Sequence, residues 1–154
     1  MLIRKIDYSE YKLVTNLFNN YRMFYKQKSD IELAESFIKE RLENNESVIF
    51  VALTGNEGGL LSVGFTQLYP LISSVRAAKN WVLNDLYVDA DYRKHGIGEA
   101  LIKTAMDFAK TQNSKLLQLE TAIDNYIAQK LYETIGFKKK GSASGHFTYQ
   151  VEIL

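Results

Sequence analysis

The chain has 154 residues, of which 46% are hydrophobic and 24% charged, a balance typical of one soluble globular domain covering residues 1–154. Lys and Arg number 19 against 18 Asp and Glu, and the formal net charge of +1 argues against a nucleic-acid partner. The chain contains no cysteine, only two histidines and no apolar run of the roughly 18 residues that a membrane span needs, so we expect a cytoplasmic protein without a metal site or a membrane anchor.

The first third of the chain predicts one strand followed by two helices. Leu2–Ile6 has a strand pattern, and a helix is expected from Ser9, as its N-cap, to about Asn20. Apolar residues at helical spacing predict a second helix over Ile31–Glu43, with Asp30 as its N-cap. The aromatic segment Tyr21–Tyr25 is then expected to connect the two helices.

The rest of the chain predicts strands first and strands alternating with helices later. Ser47–Thr54 and Leu60–Tyr69 flank a glycine-rich turn, which favours an antiparallel hairpin. Trp81–Val88 is apolar on both faces and is expected to be a central strand. The remaining elements are two helices, at 97–112 and 125–135, and two strands, at 116–121 and 147–153. This order predicts a mixed α+β sheet and not a doubly wound one.

A glycine-bearing turn, Arg93–Gly98, joins the central strand to the following helix. Free N–H groups at a helix N-terminus bind anions, and glycines allow the anion to approach the backbone closely. The turn lacks the Gly-Lys-Ser/Thr of a Walker A loop. It also lacks the third glycine of a dinucleotide-binding loop, since that position is Leu101. We therefore expect another kind of phosphate-containing ligand there.

Two segments together resemble the signatures of a known family. Arg93-Lys94-His95-Gly96-Ile97-Gly98 is similar to the pyrophosphate motif Arg/Gln-x-x-Gly-x-Gly/Ala of the GNAT superfamily of N-acetyltransferases. The segment from Asn125 to Phe137 resembles the second signature, Asn-x-x-Ala-x-x-Leu/Phe-Tyr-x-x-x-Gly-Phe, at every defining position. The resemblance covers the whole chain. It implies a mostly antiparallel sheet of about six to seven strands, about four flanking helices, and acetyl-CoA as acetyl donor.

The segment from Tyr69 to Val88 is similar to a subgroup that includes histone-type and polyamine-type acetyltransferases. The family resemblance implies that the central strand, the turn and Asn125 hold the cofactor. The implied cofactor-binding residues are Leu86, Tyr87, Val88, Arg93, Lys94, His95, Gly96, Ile97, Gly98 and Asn125.

The same resemblance implies that Tyr132 gives a proton to the departing CoA thiolate. A core tyrosine with a satisfied hydroxyl is the competing interpretation of Tyr132, and Asn125 could be a helix cap instead of, or in addition to, a cofactor ligand.

The proton acceptor is the open assignment. Many family members carry a glutamate on the central strand, where this chain has Val82 and Asn84. Asp85 is our candidate base, and strand alternation is expected to place it on the face of Leu83 and Tyr87. A structural role for Asp85 is equally compatible with the pattern. Glu120 on the next strand could also serve as the base, or a water chain could remove the proton without a dedicated base.

The acceptor is expected to be the primary amine of a small molecule. The family places the acceptor pocket near the first two helices and the hairpin, where aromatic rings could hold a cationic amine, and we favour Tyr25 and Tyr69. A catalytically silent acyl-CoA-binding module and a protein or peptide N-acetyltransferase are the competing hypotheses. A homodimer is expected only by analogy with the family.

Overall fold

A computed structural model describes all 154 residues as one seven-stranded sheet with helices on both faces. The strands follow the order β1-β2-β3-β4-β5-β7-β6. The strands are β1 (Leu2–Lys5), β2 (Val48–Asn56), β3 (Gly59–Ser73), β4 (Ala78–Val88), β5 (Leu116–Ala122), β6 (Lys138–Ala143) and β7 (His146–Glu152). The helices are α1 (Lys12–Phe24), α2 (Ile31–Glu43), α3 (Ile97–Thr111) and α4 (Tyr126–Ile135).

Every neighbouring pair of strands is antiparallel except β4 and β5, which are parallel. The predicted mixed, mostly antiparallel fold of about six to seven strands and about four helices is therefore confirmed, with seven strands and four helices observed. The central position of β4 is confirmed as well, since it lies between β3 and β5. No helix has both the length and the apolar character that crossing a membrane requires.

Each face of the sheet is covered by its own apolar core. Helices α1 and α2 bury one face, with Val14, Phe18, Ala34, Ile38, Ile49, Val51 and Phe65 among the buried side chains. Helices α3 and α4 cover the other face, with Leu68, Trp81, Leu83, Leu101, Ile102, Leu117, Tyr132 and Tyr149 among them. The period-two alternation along β2 divides its side chains between the two cores.

The first helix differs from the sequence-based prediction at both ends. A 3-10 turn precedes it, and Asp7, not Ser9, caps that turn by accepting a hydrogen bond from the Ser9 N–H at 2.9 Å. The helix continues to Phe24, so the aromatic segment predicted as a connector belongs to its last turns. Tyr21 packs against Phe18 and Phe65, and this burial extends the helix beyond its predicted end.

The sheet also contains an edge strand that hydrophobic alternation does not predict. All six residues of β6 are exposed, so the segment lacks the apolar period of a half-buried strand. Its pairing with β7 is specified by the turn at Ser144 and Gly145, which both have positive φ.

A close approach at Gly64 sets the position of α3. A Cβ atom on this residue would lie 3.1 Å from the Tyr87 carbonyl oxygen and 3.3 Å from side-chain atoms of both Ile97 and Leu101. The first turns of α3 can therefore pack directly on the paired strands β3 and β4 only because position 64 has no side chain. The N-terminus of α3 is thereby held beside the end of β4.

Replacing Gly64 with Ala should destabilise the fold by about 1–3 kcal/mol, because one of the crowded neighbours is a backbone oxygen that cannot move aside. Chemical denaturation of both proteins measures this difference. Gly141→Ala on β6 is the matched control, since a Cβ there would meet nothing within 4 Å. Equal stabilities for the two variants would show that Gly64 does not set the packing of α3.

Candidate active site

The second half of β4 has an unpaired edge inside the sheet. On its β5 side, β4 pairs only through Trp81 with Leu117 and Val82 with Gln118. Beyond these pairs the two strands separate, while β4 continues to be paired with β3. The main chain over residues 83–88 therefore has no strand partner on the β5 side, and its polar groups are open to a ligand.

A β-bulge at Asn84 accompanies this separation. Gln67 is paired with Asp85 and Leu68 is paired with Leu83, so Asn84 has no partner on β3. A bulge of this kind bends the strand and increases its twist. The bend occurs two residues after the last β4–β5 pair, and β4 diverges from β5 from this point.

The bulge also changes which face of the sheet Asp85 occupies. The prediction that Asp85 shares a face with Leu83 is wrong for this reason. Leu83 belongs to the core under α3 and α4, and Leu86 packs against that core. Tyr87 instead packs on the core under α1 and α2, and Asp85 bonds to Gln67 near α1. Simple alternation places Asp85 and Leu83 on one face, but the extra residue reverses the pattern between them. Asp85 and Tyr87 do share a face, as predicted.

The main-chain groups of Leu86 and Val88 point to the open edge. The Asp89 N–H donates to the Val63 carbonyl at 2.8 Å, and bonded and non-bonded pairs alternate along an antiparallel ladder. Tyr87 therefore bonds to β3, whereas Leu86 and Val88 face away from it. Two of the three predicted cofactor-binding positions on β4 thus present their backbone to the gap, and Tyr87 does not.

The turn before α3 carries free N–H groups. Lys94 and Gly96 have φ values of +66° and +79°, and no side chain caps the helix. The first helical bond runs from the Ala100 N–H to the Gly96 carbonyl at 3.0 Å, so the N–H groups of residues 97–99 lack helical partners. The side chains of Lys94 and His95 are exposed on this turn.

Space is available above the two glycines of the turn. A Cβ atom on Gly96 would meet nothing within 4 Å, and one on Gly98 would meet only a methyl carbon of Val88 at 3.9 Å. An anion can therefore approach the backbone here without displacing any atom. The space above the two glycines, the free N–H groups and the helix dipole together suit the binding of a pyrophosphate group.

Arg93 closes the end of the open edge. Its Nε donates to the Val88 carbonyl at 2.9 Å, and its guanidinium lies 5.4 Å from the ring centroid of Tyr87 and 5.8 Å from that of Phe24. The side chain therefore links the end of α1 to the end of β4 by cation–π contacts.

A cleft of about 810 Å³ occupies the gap between β4 and β5. It is walled by the end of α1, the diverging strands, the β5–α4 loop and the first residue of β7. The lining residues are Tyr21, Phe24, Tyr25, Lys26, Val82, Leu83, Asn84, Gln118, Glu120, Thr121, Ala122, Asp124, Asn125 and His146.

Asp85 lies behind the wall of this cleft in a buried polar network. Its side chain is almost completely buried, and its two carboxyl oxygens accept from Gln67 Nε2 at 2.5 Å and Asn84 Nδ2 at 2.7 Å. Gln67 Oε1 in turn accepts from Ser47 Oγ at 2.8 Å. Burial raises the pKa of Asp85, and the hydrogen bonds from Asn84 and Gln67 oppose that rise.

Three tyrosines surround the Asp85 carboxyl group. Burial first, and the Asp85 charge second, raise the pKa of Tyr21 and Tyr25 and raise that of Tyr69 to about 12. The Tyr21 hydroxyl also donates to the carbonyl of Asn84 at 3.4 Å, at the bulge. The phenols therefore stay protonated at neutral pH and can donate hydrogen bonds in or beside the cleft.

Tyr132 projects from α4 into the core and is not among the residues that line the cleft. Its side chain is 8% exposed, and its ring packs against those of Phe137 and Tyr149 at centroid distances of 6.1 and 6.0 Å. Burial, followed by the nearby Tyr25 phenol, raises the pKa of Tyr132 to about 12. A phenol that holds its proton so firmly can act as a proton donor but not as a base at neutral pH.

The other predicted site residues are divided between the cleft and its surroundings. Asn125 lines the cleft and also caps α4 by accepting from the Ala128 N–H at 3.2 Å, so it has the predicted capping role. Tyr25 lines the cleft as well. Tyr69 does not line it, and its phenol lies near Asp85 on the other side of the wall.

Sequence reasoning missed several polar residues of the cleft, among them Lys26, Gln118 and His146. These three line it together with Glu120, which the sequence offered only as a lesser candidate base. They come from three elements that are distant in sequence. The pairing of β5 with β7 brings Ala122 opposite His146, and no local pattern indicates this long-range contact.

Comparisons with known proteins agree with this geometry. The model of the family described as "Acetyltransferase (GNAT) family" matches residues 12–137. An uncharacterised N-acetyltransferase of Bacillus subtilis, YhfO, is 43% identical over 139 residues, covering 90% of this chain and 91% of the relative. A probable acetyltransferase of Haemophilus influenzae is 32% identical over 138 residues, or 90% of each chain.

The fold also matches a solved structure closely. The crystal structure of a probable acetyltransferase aligns with a TM-score of 0.85 and 35% sequence identity, covering 92% of both chains.

Replacing Asp85 with Asn should remove a pH-dependent part of the stability. Because the pKa of Asp85 in the folded protein is raised above its ordinary value of 3.8, the unfolded chain loses this proton first as the pH rises. The stability that Asp85 contributes is thus complete below 3.8 and declines through the raised pKa.

Urea denaturation between about pH 4 and 8 measures this effect, and the free energy of unfolding of the wild type minus that of Asp85→Asn should fall as the pH rises. Asp107→Asn, at an exposed position of α3, controls for the removal of one carboxylate. A difference that does not change with pH would mean that Asp85 titrates alike in the folded and unfolded states.

Proposed function

The chain belongs to the GNAT family of acetyltransferases, and we propose that it transfers an acetyl group from acetyl-CoA to the primary amine of a small molecule. The observation that carries the proposal is the open main-chain edge of β4, which leads into the uncapped turn at Gly96. A cleft large enough for a small molecule lies along the same edge.

The residues that would hold the cofactor follow from the geometry of the open edge. Free N–H groups at the start of α3, with Gly96 and Gly98 leaving the backbone bare, suit the pyrophosphate. The main-chain groups of Leu86 and the Val88 N–H suit an extended amide-containing chain, which would pair with β4 as an additional strand does, while the Val88 carbonyl is already bonded to Arg93. When bound, acetyl-CoA supplies an acetyl thioester that a neutral amine can attack.

Tyr132 would give its proton to the departing sulfur. Its raised pKa of about 12 keeps the hydroxyl protonated across the physiological range. A thiolate leaving group is stabilised by a positioned proton donor, which lowers the barrier to breaking the carbon–sulfur bond.

Asp85 would act on the acceptor from outside the cleft. Because it does not line the cleft, its carboxylate can reach an acceptor only through Tyr21, the bulge or water. We propose that its charge favours binding of a cationic ammonium group in the cleft, with the aromatic faces of Tyr21, Phe24 and Tyr25 adding cation–π attraction.

An amine screen tests the proposed function. Acetyl-CoA alone should raise the melting temperature, because a ligand that binds only the native state stabilises it by mass action. Small primary amines should then stimulate CoA release, with the acetylated amine detected by mass spectrometry. Peptides with free N-termini or lysines form the second arm. Turnover with peptides alone would indicate a protein acetyltransferase, and binding without any turnover would indicate a silent acyl-CoA-binding module.

Tyr132→Phe should lower kcat by about 100-fold, because the proton donor is lost while the ring still fills the core. Acetyl-CoA affinity, measured by calorimetry, should change little.

Tyr149→Phe is the matched control for the loss of a buried hydroxyl. The Tyr149 hydroxyl donates to Glu133 at 2.6 Å, so its removal should cost about 1–3 kcal/mol of stability and leave kcat unchanged. If Tyr132→Phe behaves as Tyr149→Phe does, with lost stability and unchanged kcat, Tyr132 is structural.

A further inference from the structure

His146 occupies a fixed position at the edge of the cleft. It is the first residue of β7, and its Cα is paired with that of Ala143 on one side and that of Ala122 on the other. The residue is exposed and is one of those that line the cleft, together with Asn84 and Tyr25. An imidazole is therefore present in the space where the acceptor amine would meet the open edge of β4.

The hairpin before His146 is held tightly. Ser144 and Gly145 have φ values of +53° and +78°, as in the two-residue turns that match the twist of paired strands. The Gly145 carbonyl also accepts from the Ile123 N–H at 3.0 Å, which ties the turn to the loop between β5 and α4. A serine rarely adopts a left-handed backbone, so its presence here reflects a turn that the surrounding contacts impose.

This turn also determines which ring nitrogen of His146 carries the proton. His146 Nδ1 lies 3.1 Å from the Ser144 carbonyl oxygen. A carbonyl oxygen can only accept a hydrogen bond, so in the neutral ring Nδ1 is protonated and Nε2 keeps its lone pair. The backbone thus orients the imidazole with Nε2 as a proton acceptor.

We infer that His146 Nε2 takes the proton from the ammonium group of the acceptor, an inference that rests on the proposed acetyl transfer to an amine. One N–H bond of the ammonium breaks, the proton moves to Nε2, and the nitrogen lone pair becomes free. A bond then forms between this nitrogen and the acetyl carbon while the carbon–sulfur bond breaks. Tyr132 protonates the sulfur and is reprotonated by the second proton that the nitrogen loses, and His146 returns its proton to water. The net products are the amide, the CoA thiol and one released proton.

The other titratable groups of the cleft suit different roles. Tyr21 and Tyr25 have raised pKa values and stay protonated, so they do not accept a proton at neutral pH. Lys26 is cationic, and the carboxylates of Glu120 and Asp124 would attract an ammonium group and stabilise a protonated imidazole.

Asp85 is the competing base, but both of its carboxyl oxygens already accept from amide groups, of Gln67 and Asn84. His146 lines the cleft and has a ring nitrogen whose lone pair the protein leaves free. Imidazole is the side chain most often used as a general base at neutral pH, so we favour His146 over the Glu120 and Asp124 carboxylates.

The imidazole nitrogens can be observed in the protein without any ligand. The chain has only two histidines, His95 and His146, so the nitrogen NMR signals lost in His146→Gln identify this residue. In the neutral form, His146 should show the tautomer protonated at Nδ1. A dominant Nε2-protonated form would remove the acceptor nitrogen and overturn the inference.

The kinetic test compares kcat/KM of the wild type and of His146→Gln across pH. At pH 7 the variant should lose about 100-fold with a strongly basic amine, the usual contribution of a general base. The loss should shrink at high pH and should be small with a weakly basic amine, because these acceptors arrive without the extra proton. Recovery at high pH would also show that the variant is folded. Lys140→Gln on β6 is the control and should match the wild type.

The outcomes separate the two proposals. If the wild type acetylates no amine, the proposed function fails and the inference falls with it. If the wild type is active and His146→Gln loses nothing, or loses equally at every pH with every amine, the inference alone fails. If the decrease of kcat/KM toward low pH disappears in Asp85→Asn but persists in His146→Gln, the base is Asp85.

Discussion

The structure depends on a backbone edge that lacks a partner in the middle of a sheet. β4 is bonded to β3 along its length, but it separates from β5 after two pairs, next to the bulge at Asn84. Unpaired main-chain groups inside a protein are costly unless water or a ligand satisfies them. The separation therefore creates a cleft, one wall of which carries main-chain groups of β4 without hydrogen-bond partners. The remaining parts of the site are arranged around that edge.

Two further features place groups that can bind a donor and an amine beside this edge. Gly64 lets the start of α3 pack against the strands, so the uncapped turn at Gly96 begins where β4 ends. On the other side of the sheet, the polar network of Ser47, Gln67 and Asp85 interrupts an otherwise apolar core beneath α1. Backbone groups can thus bind the donor, while charge and aromatic rings are concentrated where an amine would enter.

Much of this arrangement could be predicted from sequence, because its signals are local. The glycines at 96 and 98, the helix that follows them and the capping position of Asn125 each depend on a few neighbouring residues. The bulge could not be predicted, since it depends on the register between β3 and β4, and the face assigned to Asp85 was wrong as a result. His146 was missed for a related reason, because only the long-range pairing of β5 with β7 brings it to the cleft. The length of α1 was underestimated because aromatic packing on Phe65 extends it.

Amide hydrogen exchange along β4 tests the central claim most directly. In the protein without ligand, the N–H groups of Leu86 and Val88, which face the gap, should exchange much faster than that of Tyr87, which bonds to β3. Saturating CoA should slow exchange at Leu86 and Val88 by roughly tenfold or more and leave Tyr87 nearly unchanged. Equal protection of all three amides without ligand, or no change when CoA binds, would contradict the account of an open strand edge that receives the cofactor.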